Sequence, residues 1–171
     1  MSKTIWAIRH GEYERGKLIP AGEEQALAAA KLLVSKGLGR DALVLTATTQ
    51  RAAETAEIIA RHLMIQTILH SERVAAAGGE EQNGIRHFGE FIEQTLAGYD
   101  HSYNGLVVVG SEPLIGRAKG RSPDAAVGYG EVVTYEYDPD DIIPDDGFLS
   151  PSARRRLEDI QPPWQPVRIG E

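Results

Sequence analysis

Short apolar stretches that alternate with helical stretches restrict the fold of this sequence more than any other feature. Residues 4–8, 42–46 and 105–110 are almost wholly apolar and rich in Val, Ile and Leu. Runs of this kind, without polar alternation, are typical of strands that are buried on both faces of a parallel sheet. Strands that alternate with helices place those helices on the faces of the sheet. The sequence therefore predicts an α/β fold, a three-layer α/β/α sandwich around a mostly parallel sheet.

Three helices are predicted between the strands, at residues 20–36, 49–63 and 85–96. The first begins at a proline, carries acidic residues in its first turn and ends at a Lys-Gly pair, all of which are helix boundary signals. The other two place apolar side chains on one face at helical spacing. A further short strand is predicted at residues 65–69.

The chain ends in two segments of different character. Residues 130–138 have high strand propensity and alternate in polarity, which indicates an antiparallel edge strand with one exposed face. After this strand the composition becomes acidic and rich in proline. We therefore expect one domain over residues 1–138 and a C-terminal tail over residues 139–171. The tail is expected to pack on the domain or on a neighbour through Trp164, with a short helix near residues 152–160.

The composition excludes several classes of function. The 171 residues include no cysteine, so disulfides, thiolate metal sites and a cysteine nucleophile are excluded. The sequence contains no run of about 20 apolar residues, which a membrane-spanning helix would need. The first residues do not resemble a signal peptide, so a cytoplasmic location is expected. The net charge of -7 argues against a general nucleic-acid-binding protein, which needs a basic surface.

Charged and polar residues follow the predicted strands. Arg9 and His10 follow the first strand, and Arg51 lies in the first turn of the helix after the second. Ser111 and Glu112 follow the last buried strand. Ligands of open α/β sheets bind at the carboxyl ends of the strands. Arginine pairs bind phosphate oxygens, and a neutral imidazole can attack phosphorus. We therefore predict a phosphate site in which Arg9, Arg51, Ser111 and Glu112 bind and His10 is the nucleophile.

Four segments resemble, in order, motifs of the histidine phosphatase (phosphoglycerate mutase-like) superfamily, and most of all its short bacterial phosphohistidine phosphatases. They are IRHGE, PAGEEQALAAAKLL, LTATTQRAAETAEIIA and VVVGSEPLI, and the resemblance covers residues 4–138. It implies that His10 accepts the phosphoryl group and that Arg9 and Arg51 hold it. It also implies a hydrolase without metal or cofactor, whose substrate is a phosphorylated small molecule or a phosphohistidine protein.

Several positions depart from the family pattern. Ser111 occupies the place of the family's second histidine, which donates to the phosphate, and Ala47 and Glu54 replace a serine and a glutamine. Glu80 and Glu81 lie near the loop in which family members that act on oxygen esters carry a general acid, and the alternative is that both are solvated loop residues.

The change at Ser111 leaves two functions open. Loss of one preorganised donor costs on the order of 3 to 4 kcal/mol of transition-state stabilisation. The protein is then either a phosphatase of weakened activity or a catalytically inactive relative that binds a phosphorylated ligand or protein. A nucleotide-binding domain is less favoured, because neither a Walker loop nor G-x-G-x-x-G follows the first strand.

Overall fold

The structure is a computed structural model that describes residues 3–72, 74, 96, 103–111, 127–137 and 164–170. Within these residues the helices are α1 (Pro20–Ser35) and α2 (Gln50–His62). The strands are β1 (Lys3–Arg9), β2 (Tyr13–Glu14), β3 (Lys17–Leu18), β4 (Ala42–Thr46), β5 (Thr67–His70), β6 (Gly105–Gly110), β7 (Val132–Tyr137) and β8 (Gln165–Arg168).

Six of these strands form one mixed sheet in the order β7-β1-β6-β4-β5-β8. The four central strands are parallel, with β1 paired to β6, β6 to β4 and β4 to β5. The edge strands β7 and β8 each run antiparallel to their neighbour. The predicted α/β fold, with a mostly parallel sheet and an antiparallel edge strand near the end of the domain, is therefore confirmed. Because the central strands are parallel, their carboxyl ends lie at the same edge of the sheet.

The parallel strands supply the centre of the hydrophobic core. Every residue of β4 and β6 is buried, as their unbroken apolar sequences predict. The helices α1 and α2 pack against each other and bury mostly small side chains. Most of these small side chains are alanines, namely Ala26, Ala29, Ala30, Ala52, Ala56 and Ala60. Small side chains at a helix contact let the two backbones approach closely.

Two elements of the structure are absent from the sequence prediction. The hairpin β2–β3 turns through Arg15 and Gly16, whose φ angles of 53° and 83° are those of a tight two-residue turn. The strand β8 is exposed along its whole length, so its sequence lacks the apolar pattern that indicates a strand. Pro166 within it is compatible with an edge strand, where one row of hydrogen bonds is not needed. Trp164, just before β8, packs against the core.

Some expectations lie outside the described residues. The helix predicted at residues 85–96 is described only at Leu96, which is buried in the core. The helix expected at residues 152–160 lies wholly outside the described part, and the division into a domain and a tail stays a prediction. In the part of the chain that the structure does describe, no helix is both long and apolar enough to cross a bilayer.

Candidate active site

His10 lies where β1 leaves the sheet. Arg9, the last residue of β1, is in register with Gly110 of β6, and the backbone N–H of His10 donates to the Gly110 carbonyl at 3.1 Å. On the other side, the N–H of Gly130 donates to the Arg9 carbonyl at 3.0 Å. His10 is only 4% exposed. The segments on both sides of β1 therefore fix the backbone that carries the histidine.

A close contact between two glycines shapes the loop after His10. A Cβ atom on Gly11 would overlap the carbonyl of Gly22, and one on Gly22 would overlap the carbonyl of Glu12. The N–H of Glu12 donates to Oε1 of Gln25 at 2.7 Å. The glycine and glutamine of α1 thus anchor the loop, which gives a physical reason for the G-x-x-Q spacing in this helix.

The hydrogen bonds of the His10 ring indicate its tautomer. Nδ1 lies 3.0 Å from the carbonyl oxygen of Gly11, and since a carbonyl can only accept, Nδ1 carries the proton. Nε2 then holds a lone pair, and Nε of Arg51 donates to it at 3.3 Å. Burial lowers the pKa of His10 below 6.5; the hydrogen bond to Gly11 opposes this shift, whereas the charges of Arg51 and Arg9 add to it. The imidazole is therefore mostly neutral at pH 7, and its lone pair is on Nε2.

Arg9 is held beside the histidine by a carbonyl and a ring. One terminal nitrogen, Nη1, donates to the carbonyl of Val127 at 2.6 Å, and Cζ lies 4.0 Å from the ring centroid of Tyr129. Its Nε is buried and has no hydrogen-bond partner among the described residues. A buried N–H without a partner costs about 1–3 kcal/mol.

Arg51 reaches the site from the first turn of α2. Its Cζ lies 4.5 Å from the ring centroid of Tyr13. One turn later, Oγ1 of Thr55 donates to the Arg51 carbonyl at 2.8 Å and accepts the N–H of Gly11 at 3.0 Å. This buried hydroxyl joins α2 to the loop after His10. The structure thus brings Arg9, His10 and Arg51 together, and their chemical roles stay predictions.

The remaining predicted site residues differ in what the structure describes. Ser111 is half-buried and directly follows Gly110, which pairs with β1 next to His10. Glu112, and the loop residues Glu80 and Glu81, lie outside the described residues.

The structure describes the surroundings of Ala47 and Glu54, two positions that depart from the family pattern. Ala47 is buried and its N–H donates to the Val109 carbonyl at 3.0 Å. Glu54 has one buried carboxylate oxygen with no hydrogen-bond partner in the described part.

Sequence reasoning missed two tyrosines that lie beside His10. The ring centroid of Tyr13 lies 5.2 Å from that of His10 in an edge-on arrangement, and that of Tyr129 lies 6.0 Å away. The two tyrosine rings are 6.4 Å apart. Tyr13 stands two residues after the Arg-His-Gly segment, which was a usable signal, whereas Tyr129 is far away in sequence and had none.

Among the described residues, two cationic side chains, Arg9 and Arg51, lie beside the neutral ring of His10. Among the residues described, no group of three or more His, Asp or Glu side chains is arranged to hold a metal ion. Two guanidinium groups beside a neutral imidazole can bind an oxyanion and place its central atom next to Nε2.

Comparison with solved structures identifies the fold. A mycobacterial glucosyl-3-phosphoglycerate phosphatase in complex with VO3 matches with a TM-score of 0.55 and 14% identity, covering 77% of this chain and 92% of the other. A protein assigned as the phosphohistidine phosphatase SixA, from Agrobacterium tumefaciens, matches with a TM-score of 0.54 and 15% identity over 77% of this chain and 89% of the other.

A protein assigned as an alpha-ribazole-5'-P phosphatase, from Escherichia coli, matches with a TM-score of 0.53 and 20% identity, over 80% of this chain and 91% of the other. No model of a known protein family matches the sequence, and no curated protein matches it. At such identities the likeness is one of fold, and it agrees with the resemblance that the four sequence motifs indicate. The chain shares the α/β fold of these solved phosphatase structures.

Proposed function

We propose that the protein is a phosphatase that acts through a phosphohistidine intermediate on His10. The observation that carries the proposal is the state of the His10 ring. Nδ1 is tied to the Gly11 carbonyl, and Nε2 faces Arg51 with its lone pair. A histidine with a purely structural role would not need its second nitrogen turned toward a guanidinium group.

The reaction uses two displacements at phosphorus. In the first, the Nε2 lone pair of His10 forms a bond to phosphorus while the bond to the leaving group breaks, and the leaving group takes up a proton from solvent water. In the second, water attacks the phosphoryl-histidine, phosphate leaves and Nε2 regains its lone pair. Arg9 and Arg51 stabilise the charge on the transferring group. Nδ1–H donates a hydrogen bond to the Gly11 carbonyl throughout, and this bond stabilises the positive ring that forms.

The substrate class follows from the donors at the site. Ser111 stands where the family pattern has a second histidine, so one strong donor to the phosphate is missing. A phosphoramidate, such as phosphohistidine, expels its leaving group more readily than an oxygen ester and depends less on a general acid. We therefore propose a phosphohistidine-protein phosphatase type of activity, weakened relative to a site with both histidines. Two structural neighbours, a glucosyl-3-phosphoglycerate phosphatase and SixA, support a phosphatase in general terms.

Ser111 also favours a second candidate function. Without the second histidine, the site could retain phosphate binding and lose turnover. The protein would then be an inactive member of the superfamily that binds a phosphorylated ligand or protein through Arg9 and Arg51.

Turnover of a phosphohistidine peptide and of an aryl phosphate tests the proposal. His10→Asn should abolish release of phosphate, because no other described residue at the site is a comparable nucleophile. The control is His62→Asn, which alters an exposed histidine at the end of α2 and should have no effect.

Ser111→His separates the two candidates. We expect at least about a tenfold faster release of phosphate, a value below the full worth of a lost donor because the new imidazole must find its rotamer. If wild type and Ser111→His both stay at the uncatalysed rate while phosphate still binds, the binding function replaces the enzymatic one.

A further inference from the structure

Each of the two arginines at the site rests on the face of a tyrosine. Cζ of Arg9 is 4.0 Å from the ring centroid of Tyr129, and Cζ of Arg51 is 4.5 Å from that of Tyr13. Both rings also contact the imidazole of His10. The same pairing of one ring with one guanidinium group therefore occurs twice beside the histidine, and the three rings form a cluster.

The backbone brings each ring to its arginine. Gly130, with a φ of 70°, turns the chain after Tyr129 so that its N–H donates to the carbonyl of Arg9. Tyr13 begins the hairpin β2–β3 directly after the loop that holds His10. The turn at Gly130 and the hairpin thus bring two tyrosines that are distant in sequence next to the same imidazole and within 6.4 Å of each other.

An aromatic ring and a carboxylate hold a guanidinium group in different ways. Within the described part of the chain, neither Arg9 nor Arg51 forms an ion pair with an Asp or Glu side chain. A carboxylate would neutralise the charge and occupy the N–H groups. A ring attracts the cation through its π face and leaves the N–H groups in the guanidinium plane free to bind an anion.

We propose that Tyr13 and Tyr129 are positioning residues for phosphate binding, whose ring faces hold Arg51 and Arg9 at the orientation that binds the anion beside His10. The inference rests on the proposed function for its ligand, phosphate, but it does not require turnover. It assigns the effect to the ring and not to the hydroxyl. A ring without the hydroxyl should therefore be sufficient at both positions.

Binding of inorganic phosphate, measured by calorimetry, tests this inference with matched variants. Tyr129→Leu and Tyr13→Leu should each weaken binding by about tenfold, the value of a partly desolvated cation–π contact, whereas Tyr129→Phe and Tyr13→Phe should stay within about twofold of wild type. Tyr103→Leu is the control, since Tyr103 lies just before β6, at the amino ends of the parallel strands and away from the site at their carboxyl ends. Leu variants that bind as tightly as wild type would overturn the inference, as would Phe variants that lose as much as Leu variants.

A graded substitution covers the case in which a Leu variant does not fold. Phenylalanine with increasing numbers of ring fluorines at position 129 keeps the shape of the ring and weakens its attraction for a cation. Phosphate affinity should fall stepwise with each fluorine, and equal affinity across the series would overturn the proposed role of Tyr129.

The outcome is separable from the proposed function. If wild type binds phosphate without turning over any substrate, the enzymatic proposal fails. The positioning role is then still decided by the phosphate affinities. If substrates are turned over and the Leu variants change neither phosphate affinity nor KM, the positioning role fails alone.

Discussion

Replacement of Thr55 by valine removes the hydroxyl that joins α2 to the loop after His10. Thr55 is fully buried, and its Oγ1 accepts the N–H of Gly11 at 3.0 Å. Valine keeps the shape of the side chain but leaves the buried N–H of Gly11 without its partner. Such a loss costs about 1–3 kcal/mol. For a chain of this length each kcal/mol lowers Tm by about 2–4 °C, so we expect a decrease of about 2–12 °C.

Urea and thermal denaturation of Thr55→Val and Thr55→Ser measure this effect. Serine retains the hydroxyl and loses one buried methyl group, worth about 0.8 kcal/mol. Thr55→Val should also weaken phosphate binding, because the loop that carries His10 loses its tie to Arg51, and Thr55→Ser should not. The reasoning is refuted if the valine variant is as stable as the serine variant and binds phosphate as tightly as wild type.

Three further predictions follow from the site. Burial lowers the pKa of His10 and favours the neutral, attacking form, so protonation of His10 should reduce kcat/KM to half of its plateau only at a pH below 6.5; half-loss at 6.5 or above contradicts this. Arg51→Ala should weaken phosphate binding by about tenfold or more, since a charge-assisted bond is lost, and calorimetry should find no change for exposed Arg61→Ala. Gly22→Ala should shift the loop and lower phosphate affinity, whereas Gly39→Ala, with open space around it, should not; equal affinities would contradict this.

The sheet could be predicted from sequence because burial leaves a clear pattern. The apolar runs at β4 and β6 coincide with strands that are buried at every residue. Polar residues directly after such strands must lie at the carboxyl edge, which is why Arg9 and His10 could be placed there. Arg51 could be placed because the first turn of a helix after a parallel strand lies at the same edge.

Other parts of the structure leave no such pattern in the sequence. The strand β8 is exposed, and it is defined by hydrogen bonds to β5, which its side chains do not reveal. Tyr129 meets Arg9 through a glycine turn that returns the chain from a distant segment. Contacts of this kind depend on tertiary packing between segments, and the pattern within either segment does not record them.

Detection of a phosphoryl group on His10 is the most direct test of the central claim. The protein is mixed with a phosphohistidine peptide, quenched in alkali after a short reaction time, digested and analysed by mass spectrometry. Among the peptides that derive from the protein, we predict one that is phosphorylated and contains His10. This peptide should lose its phosphate on acid treatment, and no phosphorylated counterpart should be found in His10→Asn. Phosphate on another residue, or undiminished turnover by His10→Asn, would contradict the account.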